Sequence, residues 1–367
     1  MLLVIAIILL FSLIVILHEW GHFIAARRGG VEVEEFGIGF PPRVWGKKVG
    51  ATLYSVNLLP LGGFVRLKGE DAAEMGPGTF GAASFAVKAK ILLAGVGMNI
   101  LTAIVILYAL CLIGLPALGS EFEPSFLNST YAQPKQLIVT EVVPNSPAAQ
   151  VGIKRGDHLL QLNGNDLTDD QTLRLSTSAN AGKQVTLKND SNGRVRDVLV
   201  TLRPAGSKDG YLGVGTHQIY KLRYDPLSAA VAAVYITGAL FFATIVGVLH
   251  LIVNIPNLIL GLFSSSVPAA AASASGPLGI VFILQSISVL GLTYIFLFMA
   301  NIAVALAAFN VLPLPALDGG RLALIAIQKY SKRKISSDTE AKIHAIGFLA
   351  LIGLMVIISV YDLRKPH

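Results

Sequence analysis

The sequence is short of charge. Of its 367 residues only 14% are Asp, Glu, Lys or Arg, against 53% apolar, whereas an ordinary soluble protein carries about 25% charged residues. That shortage argues against a soluble globular enzyme, and the mean hydropathy of +0.66 points the same way. Cysteine is scarce too. Cys111 stands alone, which excludes an intramolecular disulfide and a thiolate zinc cage. There is no internal repeat, and the only low-complexity tract is a small-residue linker at 264–276. The first residues lack the basic start and A-x-A site of a cleaved signal, so segment 1–26 is expected to stay with the chain. What is present is apolar sequence gathered in long runs, as an integral membrane protein requires.

The net charge of +7 is unevenly placed. Nine Lys or Arg lie between Arg27 and Lys90, and six between Arg321 and Lys342. Both stretches flank apolar segments and read as cytoplasmic loops. No aromatic–basic interleaving accompanies the charge, so nucleic acid is excluded as a partner.

Segment 1–26 would extend about 39 Å as a helix, enough to cross a bilayer. Arg27 and Arg28 follow it directly, which puts the N-terminus outside. Residues 50–68 read as strand, turn, strand around Pro60-Leu61-Gly62-Gly63. A second apolar run covers about 91–118. Residues 119–226 are of ordinary soluble composition and should face outward. Apolar runs return at 227–262, 276–312 and about 344–361.

Within the first run stands His18-Glu19-Trp20-Gly21-His22. Residues i and i+4 share a helix face, so the two imidazoles can serve one metal ion. Glu19 beside them is suited to take a proton from water. With seven His and ten Glu in the chain, the number of H-E-x-x-H matches expected by chance is about 0.004. A merely polar helix end would leave three ionisable groups unexplained inside an apolar run, where they are costly. The downstream histidine of soluble relatives of this motif is missing. A carboxylate is the better third ligand. Asp318 lies in Asn310-Val311-Leu312-Pro313-Leu314-Pro315-Ala316-Leu317-Asp318-Gly319-Gly320, where the prolines break the preceding helix and the glycines free the backbone. Taken alone, Asp318 reads as an N-cap; beside the His pair, it reads as a ligand.

HEWGH together with Asn310-x-x-Pro313-x-Pro315-x-Leu317-Asp318-Gly319-Gly320 resembles the site-2 protease family of intramembrane zinc metalloproteases, in its bacterial regulator-of-sigma-E protease branch. The resemblance covers nearly the whole chain. It implies Zn2+ held by His18, His22 and Asp318, with Glu19 as catalytic acid/base. It implies that Asn310 helps hold the substrate extended. Phe36-Gly37-Ile38-Gly39-Phe40 resembles a glycine loop near the active site, and 54–67 a membrane-reentrant β-hairpin that pairs with unwound substrate. These segments supply Gly37, Gly39, Leu58, Leu59, Gly62 and Gly63 as substrate-binding candidates. Gly276-Pro277-Leu278-Gly279-Ile280 also matches a recurring family segment. One departure stands out: the usual G-P-x-x-N is Gly95-Val96-Gly97-Met98-Asn99 here.

Residues 137–164 resemble a PDZ domain, with a strand, then Ser146-Pro147-Ala148 opening a short helix, then Gly152-Ile153-x-x-Gly156-Asp157 before another strand. PDZ grooves take an added peptide strand, although a size filter without a ligand of its own is the plainer alternative. The expected architecture is a polytopic membrane protein with an α-helical core of about four full crossings, a reentrant β-hairpin and an inserted α+β PDZ-like domain. Its parts are 1–118 and 218–367 for the two halves of the core and 128–205 for the insert.

The resemblance implies cleavage within or beside transmembrane segments of single-pass membrane proteins, such as anti-sigma factors or remnant signal peptides. It also implies a place in the bacterial plasma membrane, in contact with lipid. A non-catalytic scaffold binding partners through the PDZ-like domain is the alternative, and a metal-binding transporter a weaker one. For Asp318 to meet the His pair at the cytoplasmic end, 227–262 should make no net crossing. It would turn back near Asn254 and Pro256 or lie at the interface, leaving 276–312 and 344–361 as the third and fourth crossings.

Overall fold

The computed structural model describes residues 2–70, 75–119, 121–191, 193–207, 210–263, 268–272, 274–288, 290–331 and 335–364. In chain order these form helix α1 (Leu2–Arg28), strands β1 (Val33–Val49) and β2 (Thr52–Leu67), helix α2 (Phe85–Ile113) and strands β3 (Leu115–Pro116) and β4 (Thr130–Val142). There follow α3 (Pro147–Gln150), β5 (His158–Leu162), β6 (Asn165–Asp166), α4 (Asp170–Ala179), β7 (Gln184–Ser191), β8 (Arg194–Thr201) and β9 (Val214–Arg223). The chain ends in helices α5 (Pro226–Val253), α6 (Ile255–Gly261), α7 (Ala269–Ala272), α8 (Pro277–Ser288), α9 (Leu292–Val311), α10 (Asp318–Ser331) and α11 (Ser337–Asp362). They make two compact units: Met1–Tyr108, Ala233–Ser288 and Ile295–His367 in one, Ala109–Ala232 and Val289–Tyr294 in the other.

Among the described residues, five helical stretches are long and apolar enough to cross a membrane: Leu9–Arg28, Phe85–Ile113, Pro226–Val253, Leu292–Val311 and Asp338–Asp362. Apolar residues surround these helices on all sides, as lipid contact demands. The chain is therefore a polytopic membrane protein with a separate sheet-rich region. The five stretches correspond to the five apolar runs of the sequence, at 1–26, 91–118, 227–262, 276–312 and 344–361. The break at Asn254 and Pro256 is real, but it follows the helix instead of dividing it, because 226–253 contains no proline after the first residue and propagates without interruption.

In the first unit, β1 and β2 fold into a sheet beside α1. Trp45–Val49 pairs with Thr52–Val56 around the turn at Gly50, whose φ is +64°. Residues 35–38 lie between 53–56 on one side and 63–66 on the other. Segment 63–67 is thus an edge. The loop before it docks on α1: Ser12 Oγ donates to the Pro60 carbonyl at 2.7 Å and accepts from the Gly62 N–H at 3.2 Å. Ser12 lies 15 residues before Arg27, about 22 Å along the helix. Leu58 and Leu59 remain 60% and 49% exposed at this loop, which is apolar surface suited to lipid or to an apolar ligand. Toward the other end of α1, Phe23, Val31, Val33, Phe36, Leu67, Phe80 and Ile91 form a buried core against which Leu322 and Ile325 of α10 pack.

In the second unit the strand order is β3-β9-β4-β5-β7-β8, with β6 on β5. Leu137, Leu159, Leu162, Leu187 and Val200 fill its core. Ser146 caps α3 by accepting the Ala149 N–H, and Asp157, buried, accepts from the Lys154 N–H and Asn189. The sheet runs past Pro204: β9 pairs with β4 from Thr130↔Arg223 to Val142↔Val214. The Tyr224 N–H donates to the Cys111 carbonyl at 2.9 Å, so the chain leaves this unit beside the point where it entered.

Candidate metal centre

The site is built where three polar groups converge in apolar surroundings. His18 and His22 project from α1 one turn apart and are buried. Their Nε2 atoms are 3.1 Å apart. Asp318, the first residue of α10, brings Oδ2 to 3.2 Å from His18 Nε2 and 3.3 Å from His22 Nε2. These three form one candidate metal-binding group. An ion bound tetrahedrally at about 2.0–2.1 Å holds its ligands about 3.3–3.4 Å apart, so the triangle has the size that a zinc ion fits. Asp318 Oδ2 is buried against the two imidazole nitrogens and has no other hydrogen-bond partner among the described residues. Burial opposes ionisation of Asp318, but the imidazoles hold its carboxyl well below the usual carboxylate range.

The turn that delivers Asp318 explains its sequence. After α9, Ala316 takes the left-handed conformation at φ +75°, and its N–H donates to His344 Nδ1 at 2.9 Å. Gly319 and Gly320 are buried, and neither has a positive φ. A Cβ on Gly319 would lie 2.3 Å from the Leu312 carbonyl oxygen, and one on Gly320 would lie 1.9 Å from that of Leu314. The glycines are therefore needed for space, not for the backbone freedom expected from the sequence. The Asp318 side chain accepts no backbone N–H among the described residues, so it faces the imidazoles and does not cap α10. Arg321, one turn on, pairs with Glu70 beyond β2 and lies over the Phe80 ring, tying α10 to the base of the hairpin.

Glu19 interacts electrostatically with His18, His22 and Asp318, and its Oε2 accepts the Val65 N–H of the edge strand at 3.1 Å. The remaining candidates are not all gathered here. Asn310 is half-buried in the last turn of α9, and its side chain makes no hydrogen bond to a described residue. Gly37 lies under the Phe64 ring, and Gly39, at φ +78°, abuts the Leu59 carbonyl. Gly62 and Gly63 let the hairpin approach Val15 and Ile16 of α1.

Two contributions escaped the sequence reading. A Cβ on Gly21 would meet the Ala94 carbonyl at 2.5 Å, and one on Gly95 would meet His18 and His22 at 2.5 Å. The pair of glycines lets α2 press against the two histidines. From α2 the Ile91 carbonyl lies 2.8 Å from His22 Nδ1, and Asn99 Nδ2 lies 3.1 Å from His18 Nδ1. The departure at 95–99 is where the signal was visible.

Comparison with known proteins bears on this arrangement. The model of peptidase family M50 matches residues 6–354. A Clostridium perfringens protein carrying a zinc metalloprotease name is 30% identical over 98% of each chain. The zinc metalloprotease RasP of Geobacillus kaustophilus is 24% identical, and the regulator of sigma-W protease RasP of Bacillus subtilis 25%, each over 99% of this chain and 98% of its own. An H-E-x-x-H pair and a distant aspartate meeting in apolar surroundings, in a chain matched almost end to end, lead to one conclusion: the chain belongs to peptidase family M50, the site-2 protease family.

Proposed function

We propose that the chain is a zinc-dependent intramembrane endopeptidase that hydrolyses peptide bonds within or beside transmembrane segments of single-pass membrane proteins. The observation that carries this reading is the convergence of His18, His22 and Asp318, with Glu19 adjoining, on a helix of membrane-crossing length. His18, His22 and Asp318 would hold the ion. Zinc, when bound, supplies Lewis-acid polarisation and makes water more acidic. Glu19 takes the proton of the attacking water and delivers it to the leaving amine as the C–N bond breaks.

A helical peptide bond is shielded, so the substrate must unwind, and its freed backbone needs partners that lipid cannot give. The edge at 63–67 is suited to offer them. Its Val65 N–H already holds Glu19, which puts an added strand next to the general base. On this reading Leu58, Leu59, Gly37, Gly39, Gly62, Gly63 and Asn310 shape the substrate path. By analogy with the Bacillus subtilis relative, regulators of sigma factors are candidate substrates, as are remnant signal peptides. The insert around 128–205, with β9, is proposed to act as a PDZ-like module that binds or filters substrates. The test is cleavage of a synthetic transmembrane peptide by the purified chain, abolished by a chelator and restored by zinc. Replacing 115–223 by a short linker between the adjoining ends should preserve cleavage of that peptide and raise cleavage of an untrimmed substrate. Loss of peptide cleavage in a folded, zinc-loaded deletion protein would contradict the filter role.

We also propose that the site lies toward the cytoplasmic side of the bacterial plasma membrane, with the PDZ-like module outside. On that reading 227–262 makes no net crossing. Two sets of contacts support it. The N-terminal part of α11 meets the turn before Asp318 through His344 and Gly347. Its other end, at Ile358 and Tyr361, packs with Leu251 and Leu258. The close of α5 thus lies about 20 Å along α11 from the level of the metal ligands. A cysteine at Asn257 in a Cys111→Ala background is expected to react with a membrane-impermeant thiol reagent from outside. Reaction from the cytoplasmic side alone would overturn the topology.

A further inference from the structure

A neutral imidazole serves a metal through one nitrogen only if the proton sits on the other. His22 meets this condition. Its Nδ1 lies 2.8 Å from the Ile91 carbonyl, which can only accept, so Nδ1 carries the hydrogen and the Nε2 lone pair faces His18 and Asp318. His18 presents the same Nε2 to the cluster, and its Nδ1 faces Asn99. Asn99 is fully buried on α2, and its Oδ1 is buried with no partner while Nδ2 sits 3.1 Å from the ring nitrogen. The nitrogen and oxygen of a side-chain amide are told apart by their hydrogen-bond network. With Nδ2 against the ring, His18 Nδ1 must accept, its proton moves to Nε2 and points at Asp318, and Oδ1 stays orphaned. Turning the amide by 180° removes the first fault, because Oδ1 then accepts from the His18 Nδ1–H and Nδ2 takes the place Oδ1 leaves.

We infer that Asn99 is a positioning residue, which fixes the tautomer and ring orientation of His18 through Oδ1 as the Ile91 carbonyl does for His22. This rests on the zinc reading above. Residues 91, 95 and 99 lie four apart on one face of α2. That face gives each histidine one acceptor, with Gly95 between them leaving room for both rings. The Asn of the segment 95–99 thereby acquires a chemical role, and one that a proline at position 96 is not needed to support.

The test uses the full chain, purified in detergent and stripped of metal, with zinc affinity measured by competition against a chromophoric chelator. Loss of an outer partner of a ligating histidine weakens metal affinity by about 10- to 100-fold, and that is the loss expected for Asn99→Ala. Asn99→Asp can only accept, so it should bind zinc within about threefold of wild type or more tightly. Gly97→Ala is the control, since a Cβ there meets nothing within 4 Å, and its affinity should match wild type. Asn99→Ala at wild-type affinity, or Asn99→Asp as weak as Asn99→Ala, would overturn the inference while leaving the metal site standing. Should Asn99→Ala fail to fold, Asn99→Asp decides alone: wild-type affinity supports the role and loss of zinc refutes it. A wild-type chain that takes up no zinc would overturn the metal reading itself, and this inference with it.

Discussion

Glu19→Gln should keep its zinc and lose its hydrolysis. The substitution leaves His18, His22 and Asp318 untouched and keeps an oxygen that can accept the Val65 N–H. On the proposed mechanism it removes the base that takes the water proton. General acid–base groups contribute about 10²–10⁴-fold in rate, so the turnover of a transmembrane peptide should fall by at least about 100-fold. Zinc content, measured on the same sample, should stay at the wild-type level. Wild-type turnover in this variant, with contaminating protease excluded by a His22→Ala control, would remove Glu19 from the mechanism.

The second large effect is on the metal. Asp318→Asn exchanges a charged oxygen for a neutral one at a half-buried position where the buried Oδ2 lies against both imidazoles. Partners outside the ligand set already tune affinity by about 10- to 100-fold, so a ligand itself should count for at least the upper figure. Chelator competition on the purified variant reads this directly. Turnover should fall in parallel and recover in part when zinc is raised. Recovery separates this variant from Glu19→Gln, which excess zinc cannot rescue. Unchanged zinc affinity in Asp318→Asn would show that Asp318 faces the histidines without holding the ion.

Much of this was legible in the sequence for physical reasons. Three ionisable groups at i, i+1 and i+4 inside an apolar run are too costly to be incidental, so HEWGH declared itself. The structure places Asp318 beside the His pair, but the glycines next to it act differently from the expectation. The left-handed position falls on Ala316, and Gly319 and Gly320 are held to hydrogen by carbonyl oxygens of the preceding turn. Such crowding depends on tertiary contacts that periodicity does not record. The same limit explains Gly21 and Gly95, each of which matters because of a helix more than 70 residues away. The loop after Pro204 hides a last strand, β9, whose partner β4 lies about 80 residues upstream, beyond the reach of local patterning. For α5, composition alone cannot separate a helix that crosses the membrane from an equally apolar one that lies along its interface. Only the contacts of Leu251 and Leu258 with the far end of α11 bear on that choice.

The central claim is that His18, His22 and Asp318 hold one zinc ion. X-ray absorption at the zinc edge of the purified chain tests it most directly. The account predicts one equivalent of zinc with imidazole and oxygen ligands at about 2.0–2.1 Å and no sulfur, and a signal lost in His22→Ala. No bound zinc, a sulfur ligand, or an unchanged spectrum in His22→Ala would contradict it.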